Sequence, residues 1–155
     1  MIPALAVIAI LSPRQSNCPA FELAKQMMGS WDGGAQDMPL HFEYHLSADG
    51  ACLEGDGTLG DPAKPILKMH SRMGVDSASG KLYYLDCHNS DTVYFGLGEV
   101  KDGDVYLDFR TIVGGPGHFA SRDHITKDSY KGTIYGFQRD GTLKELHGVV
   151  MNRSK

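Results

Sequence analysis

The sequence lacks the short motifs that mark several large enzyme classes. It contains no G-x-x-x-x-G-K-[ST] phosphate loop and no G-x-S-x-G nucleophile elbow. Its three cysteines include no C-x-x-C pair, the spacing typical of zinc sites and redox-active dithiols. These absences argue against a P-loop nucleotidase and an α/β-hydrolase, and no motif names a reaction.

The chain also lacks an excess of basic residues. Its 15 Lys and Arg are outnumbered by 19 Asp and Glu, which gives a net charge of −4 at pH 7. A nucleic-acid-binding surface needs a basic patch or stripe, so we predict no nucleic-acid partner.

Long hydrophobic runs are missing as well. The apolar run at residues 1–11 is too short for a membrane-spanning helix, and we predict no membrane span. An apolar tip followed by the polar stretch 12–17 is typical of a secretory signal. We therefore predict that residues 1–17 are a signal-derived segment and that the protein is exported, to the periplasm or outside the cell. The alternative is an ordinary N-terminal segment packed on a cytoplasmic domain.

The odd number of cysteines leaves at least one thiol unpaired. Cys52 and Cys87 lie in predicted strands, where isolated cysteines most often serve as small buried hydrophobes. A disulfide among Cys18, Cys52 and Cys87 remains the alternative for an exported protein, and the sequence does not decide between the two.

Glycine, in contrast, is abundant, with 19 residues, and several Asp-Gly pairs mark tight turns. One short helix is predicted over residues 19–28, because Pro19 suits a first helical position and apolar residues recur at helical spacing. Gly29 ends that helix. From Trp31 onward apolar and polar residues alternate, as on half-buried strands joined by turns, which indicates an antiparallel meander.

A flat meander of this length would expose two long edges, which closure into a barrel removes. We therefore predict an all-β, closed antiparallel meander barrel of about 8–10 strands with a short N-terminal helix. No repeat or linker interrupts the pattern, so residues 18–155 are predicted to be a single domain. Barrels of this size enclose cavities that hold small apolar ligands.

Gly29-Ser30-Trp31 resembles the G-x-W signature that opens the first strand of lipocalins and related calycins. The resemblance implies that Trp31 stacks beneath a basic residue near the end of the barrel, for which Arg153 is the candidate. Segments 72–76, 80–83, 122–125 and 151–155 are similar to an uncharacterised bacterial family of lipocalin-like barrels. The similarity runs from about Phe21 to the C-terminus, departs at Val75, where an aromatic residue is common, and implies a fold rather than an activity.

A more distant resemblance is to nitrobindin-type haem barrels. Their haem-ligating histidine lies in the last strand, a few residues before a terminal basic residue, and His147 and Arg153 have that spacing. The resemblance implies haem ligation by His147, although the rest of the nitrobindin pattern is missing.

Polar residues within the predicted strands are the candidates for catalysis. Histidine titrates near neutral pH and suits acid–base chemistry, arginine offers a bidentate fork, and a tyrosine hydroxyl can donate to an oxyanion. The candidate catalytic residues are His70, His124, His147, Arg122 and Tyr135. Each points either into the cavity or into solvent, because the sequence does not show the strand registers.

A second set would contact a bound molecule without transforming it. The candidate ligand-binding residues are Arg72, Tyr84, Tyr94, Phe109 and Met69. For the polar members the alternative is a solvated outer face, and for Met69 it is simple core filling.

His41 and His45 form the weakest candidate site. They share one strand face with Glu43, as in several β-type metal sites, and Glu145 and His147 would add ligands if the strands met across the closure. The opposite face of that strand is apolar and looks like core, so the histidines are expected to face solvent.

Three functions are consistent with these patterns. We favour binding of a small hydrophobic or aromatic molecule in the barrel cavity. The alternatives are a small cofactor-independent lyase, isomerase or hydrolase that uses cavity His, Tyr and Arg, and binding of haem or a divalent metal. The sequence names neither the ligand nor the oligomeric state.

Overall fold

The computed structural model describes residues 17–155. The predicted signal-derived segment lies outside these residues, apart from Asn17. A helix, α1 (Pro19–Ala24), continues as a 3-10 turn (Lys25–Met27). Ten strands follow: β1 (Gly29–Ala35), β2 (Met38–Leu46), β3 (Cys52–Asp61), β4 (Lys64–Val75), β5 (Leu82–His88), β6 (Val93–Lys101), β7 (Asp104–Val113), β8 (His118–Ile125), β9 (Ser129–Phe137) and β10 (Leu143–Arg153).

Each strand pairs antiparallel with the next one along the chain. β1 also pairs with β10, so the sheet closes on itself and leaves no free edge. The predicted all-β closed meander barrel with a short N-terminal helix is therefore confirmed, with ten strands.

The helix is shorter than predicted and covers one end of the barrel. Its buried residues include Phe21 and Ala24, and Ala24 with Met27 of the 3-10 turn faces the barrel interior. No helix among residues 17–155 has the length and apolarity needed to cross a membrane. We call the opposite end, made by the turns at residues 36–37, 62–63, 89–92, 114–117 and 138–142, the far end.

The chain closes where Trp31 meets Arg153. These residues are directly paired between β1 and β10, and Trp31 is completely buried. The indole nitrogen of Trp31 donates a hydrogen bond to the Met27 carbonyl at 2.6 Å, and the Arg153 guanidinium lies 4.6 Å from the ring centre. The predicted stacking of a basic residue on Trp31 is present.

Alternation along β2 sets the inner and outer faces. Leu40, Phe42 and Tyr44 are buried and point inward, whereas the polar residues between them face out. The Phe42 and Tyr44 rings stack, with centroids 5.1 Å apart, and lie flat against β3. Gly57 and Gly55 make that possible, because a Cβ at either position would overlap one of these rings.

The three cysteine thiols are unpaired in the structure. Cys18 and Cys52 are buried, and Cys87 is half-buried. The Cys52 Sγ lies 3.0 Å from the Tyr83 hydroxyl. These positions agree with the free-thiol interpretation.

Candidate functional site

The barrel encloses a cavity of about 480 Å³. Helix-end residues close it on one side, and Gln36, Ser90 and Thr92 from the far-end turns reach it on the other. Most of its wall is apolar or aromatic, including Leu40, Phe42, Leu59, Leu67, Leu107, Phe109, Phe119, Ile134 and Val149. A wall of this kind excludes water from the ligand and supplies the main energy of binding for an apolar molecule.

Aromatic rings cluster on the β5–β8 side of the cavity. Tyr94 meets Phe109 and Phe119 edge-on, with ring centroids 6.0 Å apart in both pairs. Tyr84 also meets Phe109 edge-on at 5.9 Å. These rings all line the cavity and make its β5–β8 side aromatic.

Two carboxylates stand inside this apolar wall. The first, Asp86 on β5, is only 5% exposed. It accepts a hydrogen bond from the Ser71 hydroxyl at 2.9 Å, and its second oxygen lies 2.8 Å from the His88 Nε2. His88 in turn packs its ring edge-on against Tyr94.

The second carboxylate, Asp123 on β8, is 6% exposed. Hydroxyl groups of Ser121 and Tyr130 donate to it at 2.7 Å and 2.8 Å. Burial raises the pKa of Asp123 to about 6, against the opposing effect of these two hydrogen bonds. No basic side chain among residues 17–155 bonds to this carboxylate and offsets its burial, which explains why the pKa is raised.

Tyr44 lines the same cavity as the two carboxylates. It is 7% exposed, and its hydroxyl has no hydrogen-bond partner among residues 17–155. Burial, followed by the charges of Asp86 and Asp123, holds the pKa of Tyr44 well above its usual range. The phenol therefore stays neutral and keeps a proton to donate into the cavity.

The fixed charges in the cavity lining are negative. Of residues 17–155, those that line the cavity include Asp86 and Asp123 but neither Lys nor Arg, and two imidazoles, His88 and His147. Burial lowers the pKa of His147, which favours its neutral form. An anionic ligand such as a fatty acid would find no fixed cation in this lining.

The predicted ligand-binding residues lie on different faces of their strands, so that some point into the cavity and one points outward. Tyr84, Tyr94, Phe109 and Met69 line the cavity. Arg72 points outward on β4 and lies near Glu54, with 3.6 Å between the Arg72 Nε and a carboxylate oxygen.

Of the predicted catalytic residues, only His147 lines the cavity. His70 lies on the outer face beside Asp56, with 2.9 Å between the Nδ1 and a carboxylate oxygen. Arg122 and His124 both bond to Asp104 on the outer face, at 2.6 Å and 2.7 Å.

Tyr135 also points away from the cavity. Its neighbours in sequence, Ile134 and Gly136, belong to the inner row of β9, and Ile134 lines the cavity. Strand parity therefore places four of the five predicted catalytic side chains outside the barrel.

The outer histidines of β2 pair with single acids instead of converging on one point. His41 lies 2.7 Å from Asp32, and His45 lies 3.6 Å from Glu54. Within residues 17–155 no group of three or more His, Cys, Asp or Glu side chains is arranged to hold a metal ion.

Sequence reasoning missed the two inner carboxylates and Tyr44 as site residues. A signal for Asp86 was present, because it shares a strand face with Leu82 and Tyr84. An apolar residue at the start of a strand indicates the inner face for every second residue after it. Asp123 offered no such signal, since its face carries Ser121 and Ile125 and reads equally well as an exposed face.

The fold and site together define a closed ten-stranded antiparallel barrel with an enclosed, aromatic-lined and acidic cavity. Among matching solved structures is the crystal structure of Rv2717c from M. tuberculosis, at a TM-score of 0.66 and 16% sequence identity. The match covers 89% of this chain and 99% of the other. Identity at this level shows a shared fold alone. No family model and no curated protein matches the sequence, so the lipocalin resemblance is not confirmed.

Proposed function

We propose that the barrel binds a small molecule with an apolar, aromatic body inside its cavity. The observation that carries the proposal is the space of about 480 Å³ inside the barrel, walled by aromatic and aliphatic side chains with a few polar groups. Ligand sites in proteins have this composition and a volume in this range, about 300–1,000 Å³.

The test is a titration with the neutral fluorescent dye N-phenyl-1-naphthylamine. We expect saturable binding to the native protein. Leu67→Trp, which adds an indole at an inner position, should weaken that binding by about tenfold or more, because it fills the space the ligand needs. Lys68→Trp places the same ring on the outer face of β4 and serves as the matched control. Unsaturable binding, or equal binding by both variants, would contradict the proposal.

The catalytic alternative has less support from the geometry. Most of the side chains predicted to carry it lie outside the barrel in pairs with acids, where they cannot touch a molecule in the cavity. His147 is the member that remains at the cavity wall.

Haem binding through His147 is the second candidate, because this imidazole lines the cavity and its lowered pKa favours the neutral, ligating form. The fit has one obstacle. The His147 Nδ1 lies 3.1 Å from the Gln36 side-chain nitrogen, which makes Nδ1 the acceptor and leaves the proton on Nε2. Ligation through Nε2 requires the Gln36 amide to turn over, so that its oxygen accepts from Nδ1.

Absorbance titration with haem decides this candidate. Binding through His147 should give a sharpened and shifted Soret band that His147→Ala abolishes. His118→Ala, which removes an outer-face histidine paired with Asp108, is the control and should retain the band. A Soret region unchanged by the protein, or equal bands in both variants, would exclude His147 ligation.

A further inference from the structure

Asp86 and Asp123, which we call the acidic pair, are an unusual feature of an apolar cavity. Burying a carboxylate is costly unless a cation or several donors compensate. Elsewhere in this barrel buried acid is compensated: Asp104, buried at the outer face, bonds to both Arg122 and His124. The acidic pair instead receives hydroxyl donors and, at Asp86 alone, the His88 ring.

Among residues 17–155, no positively charged side chain bonds to Asp123. Tyr130 on β9 donates to it, its charge acts on Tyr44 of β2, and Asp104 on β7 adds further negative potential. His88 pairs with Asp86 and not with Asp123. A buried carboxylate with neutral neighbours gains stabilisation from any cation that enters the cavity.

Tyr44 gives an independent sign that the polar part of the cavity receives a ligand. This side chain is buried, its hydroxyl has no partner within residues 17–155, and both members of the acidic pair act on it. Tyr44 lines the cavity, so its hydroxyl is free to bond to a ligand group there.

The aromatic rings supply the second half of cation recognition. Tyr84, Tyr94 and Phe109 line the same cavity as the acidic pair, and the charge of Asp86 raises the pKa values of both tyrosines after burial does. Aromatic faces next to carboxylates attract ammonium groups through their quadrupoles.

We propose that the cavity selects organic ammonium ligands, and this inference rests on the proposed binding function. The aromatic or aliphatic body of the ligand packs against the apolar wall, and the acidic pair and Tyr44 bind its positively charged nitrogen. The site thereby discriminates against carboxylate ligands of the same shape.

Three naphthalene probes of similar size test the charge preference by calorimetry at pH 7.5: 1-naphthylmethylammonium, 1-naphthalenemethanol and 1-naphthoate. We expect the ammonium to bind about tenfold or more tightly than the alcohol, and the carboxylate to bind more weakly than either. Equal affinity of the ammonium and the alcohol, or tightest binding of the carboxylate, would overturn the proposal.

Two variants test whether the charge of Asp123 causes the preference for the ammonium probe. Asp123→Asn keeps the shape and removes the charge, so it should bring the ammonium and the alcohol to within about threefold of each other. Asp108→Asn removes a carboxylate from the outer face, where it pairs with His118 as Asp86 pairs with His88, and should leave the preference intact.

A measurement on the unaltered protein covers the case in which Asp123→Asn does not fold. Lowering the pH from 7 to 5 should weaken ammonium binding and leave alcohol binding unchanged, because Asp123 takes up a proton in this range. The lining holds two imidazoles, His88 and His147, and a proton gained by His147 would act in the same direction. Ammonium binding that does not change with pH would contradict the acidic pair as its receptor.

The binding function and the charge selectivity can be contradicted separately. If the neutral dye and the alcohol bind but the ammonium has no advantage, the charge selectivity is wrong and the binding function stands. If neither the dye nor any naphthalene probe binds, the binding function itself is wrong.

Discussion

Asp104 and Asp123 show how the same residue type takes opposite roles on the two faces of neighbouring strands, β7 and β8. Both are buried. Hydrogen bonds from His124 and Arg122 lower the pKa of Asp104, whereas burial raises the pKa of Asp123. The difference lies in the partners, since Asp104 faces cations on the outside and Asp123 faces an apolar cavity.

This contrast predicts a specific pH dependence of stability. The folded-state pKa of Asp123, about 6, lies above the unfolded value near 3.8, so the native state binds the extra proton between these limits. The free energy of unfolding should therefore lose up to about 3 kcal/mol from this group as pH rises from 4 to 6. Asp123→Asn should remove that decline, measured by urea denaturation at several pH values.

Asp104→Asn is the control with the opposite sign. Because its pKa is lowered, Asp104 stabilises the fold above its unfolded pKa and loses that contribution as the pH falls. This variant should lose stability at neutral pH and keep the Asp123 decline between pH 4 and 6. Identical profiles for the Asp123→Asn variant and the native protein would contradict the assignment.

At the scale of elements, the joint between β1 and β10 holds the barrel closed. Arg153 stacks on Trp31 and also donates to carbonyl groups of Gln26 and Lys127, both at 2.8 Å. These bonds tie the helix, the last strand and the β8–β9 turn together. One side chain thus satisfies helix-end carbonyls that otherwise lack partners.

We predict that Trp31→Ala destabilises the protein by about 3–5 kcal/mol, since it removes a fully buried indole and leaves a cavity at this joint. Denaturant unfolding measures the loss. Phe95→Ala, which removes an aromatic ring that is 41% exposed on β6, is the control and should cost far less. Equal losses for the two variants would show that the joint is not a centre of stability.

The strands themselves could be predicted because alternation is a local property. The run from Leu40 to Leu46 indicates one apolar face, and the structure places Phe42 and Tyr44 on the inside and His41 on the outside. Gly29 could also be predicted as a boundary, and it begins β1 with a φ of 105°, which few other residues tolerate.

A bulge in β10 shows what alternation misses. In a regular strand Glu145 and His147 would share a face, and both were candidates to add ligands to the His41 and His45 site across the closure. The register shifts between them, so that Glu145 pairs with Tyr135 and is exposed while His147 reaches the cavity. One extra residue in a strand reverses the side on which a side chain falls.

At the scale of the whole molecule, closure of the sheet into a barrel creates an interior in which a buried charge acts strongly on its neighbours. Ten strands leave enough space for a cavity, and inward-facing glycines such as Gly55 and Gly57 let aromatic rings lie against the wall and keep the centre open. The helix covers one end with Ala24 and Met27. The acidic pair gains its effect from this enclosure, because a carboxylate in water would have little influence on Tyr44.

The sequence by itself determined the strands, their antiparallel order and the closure of the sheet, because alternation and turns are local properties and the avoidance of open edges follows from them. The Trp31–Arg153 contact was implied only by the resemblance to the lipocalin G-x-W signature. Only the tertiary structure decided which polar side chains meet inside. Asp86 and Asp123 lie on strands far apart along the chain, and their inward direction depends on registers set by pairing with β4, β6, β7 and β9. A side chain's face follows from that pairing, and a shift of one residue would turn it from cavity to solvent.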